Sequence, residues 1–337
     1  MNALRVAVLG VGVMGSYHAE ALASRIAHAR VTVVTDADQT RAERVAKTVD
    51  ARVEADPFAA IGADDVDAVV IASPGPAHEE QVLACLDRRI PVLCEKPLTT
   101  DINTAYRVVQ REAELESPLV QLGFMRRFDP EYAALRELVT SGELGAPLLL
   151  HCVHRNPAQS TVFDSEMMIR DSVVHEADVA RFLLGEEITA VTVKRPQPTR
   201  EAPAGVSDPM LVLMETESGR LVDVEIFARS RVAYEVRTEL VAEHGTAMIG
   251  LDQHMVVHRT GGARTGLLAR GFIERFAAAY DTELHRWVQA ARQGTIDGPG
   301  TWDGYAAVAV CEAGVEAVRT GERVPVRLGA RPVRAAA

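Results

Sequence analysis

A chain of 337 residues with 47% hydrophobic content is long enough to bury a large core, and its length favours two domains over one. Its formal net charge of -11, from 47 acidic against 36 basic residues, argues against a nucleic-acid surface, which needs clustered Lys and Arg to track phosphates. Cys85, Cys94, Cys152 and Cys311 form no CxxC pair, and three lie in apolar runs, so they read as reduced core thiols rather than disulfides or metal ligands; no metal site is expected. The chain opens on a strand pattern rather than a basic segment and an apolar h-region, and no apolar run of about 18 residues occurs, so the expectation is a soluble, cytoplasmic protein without a membrane partner.

The first third alternates strand and helix patterns. Residues 4–9 read as a strand that ends in the turn Gly10-Val11-Gly12-Val13-Met14-Gly15, residues 17–24 continue as helix, and 31–35 form a second strand stopping at Asp36. Further strands are expected at 68–72, 92–94 and 119–123, with helical stretches between them. Such βαβ spacing forces parallel pairing through right-handed crossovers, and about six strands is the count of a dinucleotide-binding sheet.

A helix over 130–141 marks a change of texture. Strand-like runs follow at 147–154, 188–194, 210–216, 220–228 and 234–243, with the last pair expected to form a hairpin. These predict one open, mostly antiparallel sheet, with one face on helices 174–184 and 274–292 and the other free for solvent or a second subunit. Pro196, Pro198, Pro203 and Gly205 punctuate a surface loop, and the Ala-rich end over 334–337 is expected to fray.

The glycine turn fits G-x-G-x-x-G in full. The first glycine permits a tight turn, the second lets a pyrophosphate approach the backbone, and the third allows close helix–strand packing, with amides of Val13 and Met14 at the helix start facing the phosphates. Asp36, 21 positions after Gly15, would accept from the adenosine ribose hydroxyls and repel a 2′-phosphate, which favours NAD over NADP. Its other reading is a helix N-cap, a place Asp38 fills equally well, and Arg41 would soften the repulsion. Ser73-Pro74-Gly75-Pro76-Ala77-His78 is a stiff strand-end loop suited to walling a nicotinamide or ribose; His78 either contacts the cofactor or only opens the next helix. Lys96, in Glu95-Lys96-Pro97, opens another strand-end loop, where ligands of such sheets bind.

Asp171 and His175 are spaced by four, on one side of a helix's first turns. A carboxylate beside an imidazole fixes its tautomer and stabilises its protonated form, which suits a base accepting a hydroxyl proton. Taken singly, an acidic residue at a helix start is usually a cap, and a lone His is usually a satisfied surface or core residue.

The ordered set Gly10-x-Gly12-x-x-Gly15, Glu95-Lys96-Pro97-Leu98 and Asp171-x-x-x-His175 resembles the glucose-fructose oxidoreductase / inositol dehydrogenase / rhizopine-catabolism (Gfo/Idh/MocA) family nearly end to end. Gly123-Phe124-Met125-Arg126-Arg127-Phe128-Asp129, His151-Cys152-Val153-His154-Arg155-Asn156-Pro157 and Val174-His175-Glu176-Ala177-Asp178 make its inositol 2-dehydrogenases the most similar branch. The resemblance implies an N-terminal Rossmann domain over 1–123, a doubly wound parallel sheet, and an α+β substrate-binding and oligomerisation domain over 124–337.

It further implies NAD-dependent oxidation of a ring secondary alcohol of a cyclitol, myo-inositol or a close stereoisomer, to the ketone. A pyranose, an aminocyclitol precursor, or glycoside hydrolysis that uses NAD transiently are the alternatives. By resemblance His175 is the general base, Asp171 its partner and a hydroxyl ligand, and Lys96 the cation at the developing alkoxide. Ser73, His78, Glu95 and Lys96 join the turn and Asp36 at the cofactor, while Arg126, His154, Asn156, Tyr234 and Tyr280 line the polyol pocket. The same family pairs sheet faces, so a homotetramer is the expected assembly. Two positions depart from the pattern: Pro74 stands where a tryptophan is expected, and Arg170 where an apolar residue is. Residues 157–168 are expected to cover the site as a lid.

Overall fold

The computed structural model describes residues 3–250, 257–259, 262–264 and 269–334; the alanines at 335–337, part of the expected frayed end, lie outside them. Contacts divide the chain into two compact units. The first takes residues through Met125, then Ala278–Val308 and the residues from Leu328 onward; the second takes Arg126–Ala277 and Ala309–Arg327. A single cut after residue 123 therefore does not describe the grouping, because two later segments fold with the N-terminal residues.

Unit one begins with β1 (Leu4–Leu9), α1 (Val13–Ser24), β2 (Ala29–Thr35), α2 (Gln39–Val49), β3 (Arg52–Val53), α3 (Pro57–Ile61), β4 (Ala68–Ile71), α4 (His78–Asp87), β5 (Val92–Glu95), α5 (Ile102–Ala113) and β6 (Val120–Gly123). The strands form one sheet in the order β3-β2-β1-β4-β5-β6, with every pairing parallel. The run Ala68-Val69-Val70-Ile71 of β4 is wholly buried, as a parallel strand covered on both faces requires. The order reverses between β1 and β4, and the carboxyl ends of strands at such a switch point are where this architecture binds ligands. Five of the six strands are legible as apolar runs; β3, two residues and half exposed, carries too little hydrophobic pattern to announce itself.

The second unit is built on α6 (Pro130–Ser141), β7 (Pro147–Arg155), α7 (Ser165–Met167), α8 (Val174–Leu184), β8 (Ile188–Lys194), β9 (Met210–Thr216), β10 (Leu221–Phe227), β11 (Glu235–Ala242) and β12 (Gly245–Ile249). A short pair, β13 (Val257–Arg259) and β14 (Gly262–Arg264), stands apart from the main sheet. The chain ends with α9 (Phe272–Ala291), α10 (Thr301–Thr320) and β15 (Val324–Pro325). The main sheet runs β12-β11-β7-β10-β9-β8-β15, antiparallel except between β7 and β10.

Two expectations are corrected here. The runs at 220–228 and 234–243 do not form a hairpin: β7 lies between them, pairing parallel with β10 and antiparallel with β11. Their connection crosses the end of β7, where the amides of Ser230 and Arg231 donate to the carbonyls of Asn156 and Pro157. The hairpin forms instead between β9 and β10. Nor does the helix over 274–292 simply cover that sheet. Leu284, Trp287, Val288 and Ala291 of α9 join the core of unit one, packed with Leu4, Val6, Leu22 and Val31. Their spacing of three and four residues makes one apolar stripe, and burying Trp287 completely is worth about 2–3 kcal/mol or more by area.

Candidate functional site

At the end of β1, Gly10 has φ of +80°, which only glycine adopts without strain, and a side chain there would strike the backbone of Ser73 at 2.6 Å. A Cβ on Gly15 would lie 1.8 Å from the carbonyl oxygen of Gly10, so this third glycine lets α1 close against the turn. Gly12, the N-cap of α1, faces open space, with nothing within 4 Å of the position a Cβ would take. The first turn of α1 holds no acidic residue, leaving its amide end free to favour an anion. Val13 is exposed and Met14 half-buried at that helix start.

Asp36, at the end of β2, is not the helix cap. Asp38 is, accepting from the Arg41 amide at 3.1 Å. Asp36 instead accepts from the amides of Val11 at 2.9 Å and Asp38 at 2.8 Å, which ties the glycine turn to the next strand. A carboxylate offers about four lone-pair sites; two hold these amides, and the Arg41 guanidinium reaches both oxygens only at 3.4 Å, contacts long enough for ligand hydroxyls to replace.

These groups line a cavity of about 640 Å³ together with Ala55, Pro57, Ala72, Ser73, Pro74 and Gln81. Its residues follow β1, β2 and β4, the strand ends at the switch point, and an open glycine, a bonded carboxylate and a stiff proline wall fit an adenine dinucleotide. Pro74, standing where a tryptophan is expected, is part of that wall. Ser73 donates to Gln81 at 2.7 Å.

His78 belongs elsewhere. It is buried, with Nδ1 2.8 Å from the Pro97 carbonyl and Nε2 2.8 Å from the Ser73 carbonyl, so both ring nitrogens are engaged with main chain and the ring does not line the cavity. Glu95, the last residue of β5, is also buried and holds His18 of α1 at 2.7 Å. Lys96, half-buried, opens the loop that follows. His18 was not singled out in the sequence; the signal for it is a polar ring on the buried face of α1, beside Ala19, Ala21 and Leu22. Tyr280 also belongs to unit one, edge-on to Tyr17 at 5.4 Å and to His18 at 6.1 Å.

In unit two, Asp171 and His175 lie on a continuous helical run whose middle, Met168–Val173, is π-helical before α8 begins. Such wide turns recur at functional sites. Asp171 is exposed, whereas His175 is the second residue of a helix on which every residue from Val174 to Arg181 is buried. Gly314 of α10 allows close approach: a Cβ there would sit 2.8 Å from Ile169. Arg170, in its departure from the pattern, reaches Glu312 of α10 at 3.8 Å.

Arg126 is engaged inside unit two. Its buried guanidinium meets Glu176 at 2.5 Å and His154 Nδ1 at 3.3 Å, and His154 is 3.1 Å from the same carboxylate. Burial opposes ionisation of Glu176, but Arg126 and His154 more than offset it and hold the carboxyl at about 2. Tyr234 packs edge-on to His154 at 5.7 Å, and burial raises its hydroxyl above the ordinary value. Asn156 leaves β7 with its amide bonded to the Phe227 carbonyl and its own carbonyl accepting from Ser230. The expected lid is anchored from below: Arg229, paired with Asp208 at 3.2 Å, donates to the carbonyls of Ser160 and Phe163. Unit two thus gathers Arg126, His154 and Tyr234 around Glu176, the residue after His175, while Lys96 and Tyr280 are held by unit one.

The four cysteines are buried and unbridged, and burial pushes the Cys152 thiol up to about 12. Among the described residues no cluster of three or more His, Cys, Asp or Glu is arranged to hold a metal, and no helix is long and apolar enough to cross a membrane.

Comparison with known proteins identifies the family and the fold. Residues 4–124 match the GFO_IDH_MocA model, described as an oxidoreductase family with an NAD-binding Rossmann fold, and residues 132–248 match the GFO/IDH/MocA C-terminal domain. Inositol 2-dehydrogenase 2 of Mycolicibacterium vanbaalenii is 57% identical over 336 residues, covering 99% of this chain and 98% of the relative. The crystal structure of myo-inositol dehydrogenase from Lactobacillus casei, in complex with NAD(H) and myo-inositol, superposes with a TM-score of 0.93 at 31% identity over 98% of each chain. That of scyllo-inositol dehydrogenase from the same organism, with bound NAD(H) and scyllo-inositol, gives 0.87 at 26% identity over 96% of this chain and 99% of that one. A glycine turn fitted to a dinucleotide and a full-length match to inositol dehydrogenases lead to one conclusion: this chain belongs to the Gfo/Idh/MocA family of NAD-binding oxidoreductases.

Proposed function

We propose that this NAD-dependent oxidoreductase oxidises a ring secondary alcohol of a cyclitol, myo-inositol or a close stereoisomer, to the ketone. The observation that carries the reading is 57% identity to an inositol 2-dehydrogenase along 99% of the chain, joined to a cradle fitted to a dinucleotide. Bound NAD supplies the hydride acceptor. Gly10, Gly12, Val13, Met14 and Gly15 present amides to its phosphates, Asp36 accepts from its ribose hydroxyls, and Ser73, Glu95 and Lys96 border its nicotinamide end.

The chain's own residues handle the proton and the charge. His175 takes the hydroxyl proton as the hydride leaves carbon, Asp171 orients that imidazole and accepts from a substrate hydroxyl, and the Lys96 ammonium stabilises the developing alkoxide. His154, Asn156, Tyr234 and Tyr280 supply the pocket's polar lining, because a ring of hydroxyls binds only where each finds a partner. Arg126 supports that lining from behind, through Glu176 and His154.

Residues 1–123 form the core of the NAD-binding half and 124–337 most of the substrate and assembly half. The protein works in the cytoplasm as a homotetramer. Supporting self-association, the open face of the second sheet carries Leu211, Leu221, Val153, Phe227 and Met248 among the ion pairs of Arg155 with Glu225 and Glu235.

Purified protein mixed with NAD and a panel of myo-, scyllo- and D-chiro-inositol, pyranoses and aryl glycosides tests the reading by absorbance of reduced nicotinamide. Turnover highest on a cyclitol supports it. Preference for a pyranose, or glycoside cleavage without net reduction, replaces it.

A further inference from the structure

The chain holds three lysines, Lys47, Lys96 and Lys194, and the residues on both sides of Lys96 are each gripped by a buried histidine. On the upstream side, His18 is 0% exposed and its Nε2 lies 2.7 Å from Oε1 of Glu95. The other oxygen of that carboxylate accepts from the Lys96 amide at 3.3 Å. Glu95 pairs across the sheet with Gly123, where a Cβ would come within 3.0 Å of the same oxygen, so the missing side chain is what admits the carboxylate. On the downstream side, His78 is 1% exposed and its Nδ1 is 2.8 Å from the Pro97 carbonyl. Proline has no amide to pin, so its carbonyl is the available handle. The other nitrogen of His78 reaches the carbonyl of Ser73, which lines the nucleotide cavity, and the Cys94 thiol touches His78 Nδ1 at 3.5 Å while donating to the Glu95 carbonyl at 3.4 Å.

We infer that His18 and His78 are positioning residues for Lys96, clamping the backbone on its two sides so that its ammonium is delivered to a fixed place. This rests on the assignment of Lys96 made above. Lysine is a flexible four-carbon stem, and a cation that must meet a developing charge has to be held within about 0.5 Å. Misplacement by about 1 Å costs on the order of a hundredfold in rate. Fixing the flanking main chain removes the backbone's share of that error and leaves only the stem to be ordered. Ser73 and Lys96 are thereby also kept in register through one imidazole.

Two readouts test the clamp. In His18→Leu and His78→Leu, kcat should fall by about ten- to a hundredfold while KM for NAD stays within about threefold; His18→Gln, which keeps an N–H for Glu95, should recover most of the loss. Independently of turnover, brief treatment with an amine-acylating reagent followed by mass spectrometry gives the labelling of Lys96 relative to the exposed Lys47 and Lys194. That ratio should change by about threefold or more in both Leu variants and stay near the wild-type value in His18→Gln. If a Leu variant does not fold, Gly123→Ala, which pushes on Glu95 without touching either histidine, should move the ratio in its place. An unchanged ratio overturns the clamp. Absence of cyclitol turnover in the wild type would instead sink the proposed function, and the labelling would still judge the clamp.

Discussion

Asp36 keeps acceptor capacity for a ligand because Asp38 has taken over the capping of α2, and the two amides it does accept hold the glycine turn in place. Substituting Asp36→Ser should therefore narrow the preference for NAD over NADP, the more so with Arg41 only 3.4 Å away to receive a 2′-phosphate. Paired titrations of the two nucleotides read this directly, and identical relative affinities in variant and wild type would remove Asp36 from ribose recognition. In the proposed function His175 takes the proton and leaves the nucleotide to other residues. Its replacement by Ala should lower kcat by about a hundredfold or more and leave NAD affinity unchanged, as steady-state kinetics and a binding titration would show. Near-normal turnover would end its assignment as base.

Helix α8 is buried nearly all round, and its third residue, Glu176, depends on charge as well as on packing. Glu176 pins the helix to Arg126, in the turn that follows β6, and to β7 at His154, inside a core from which water is excluded. Glu176→Gln leaves the Arg126 guanidinium buried without its counter-charge and should cost about 3–5 kcal/mol in urea unfolding. The pH dependence has a definite sign. Because the folded carboxyl sits at about 2, below its unfolded value, its contribution is fully present above pH about 4.3 and is lost as pH falls from there towards about 2. Acid titration of stability should show that loss in the wild type and a flatter profile in Glu176→Gln; parallel profiles would contradict it. The π-helical stretch before α8 belongs to the same scale. Gly314 lets α10 approach Ile169, within the run that carries Asp171.

For the whole molecule, the open sheet face bears on assembly. Leu211, 37% exposed, lies on it opposite Glu225, and Leu211→Glu should lower the sedimenting mass while leaving the far-ultraviolet circular dichroism intact. An unchanged mass would move the subunit contact elsewhere. How much of this was readable in advance follows from how local each feature is. Strands β1, β2, β4, β5 and β6, the glycine turn and α6 are written in short apolar runs, in residues that tolerate positive φ and in a capping aspartate followed by proline, so residues within a few positions decide them. The seating of β7 between β10 and β11 is not local: it was set by long-range pairing, and an apolar alternation looks the same whichever neighbour it meets. The protein partners of Arg126 and His78 were illegible for the same reason, since an arginine or a histidine reads alike whether its partner is a ligand, a buried carboxylate or a carbonyl 19 residues away. By itself the sequence determined the kind of sheet, the nucleotide turn and the acidic residue beside it, because these rest on backbone sterics and hydrophobic period. Only the tertiary structure decided which charges are spent inside the protein, because burial and pairing depend on residues that the chain brings together from far apart.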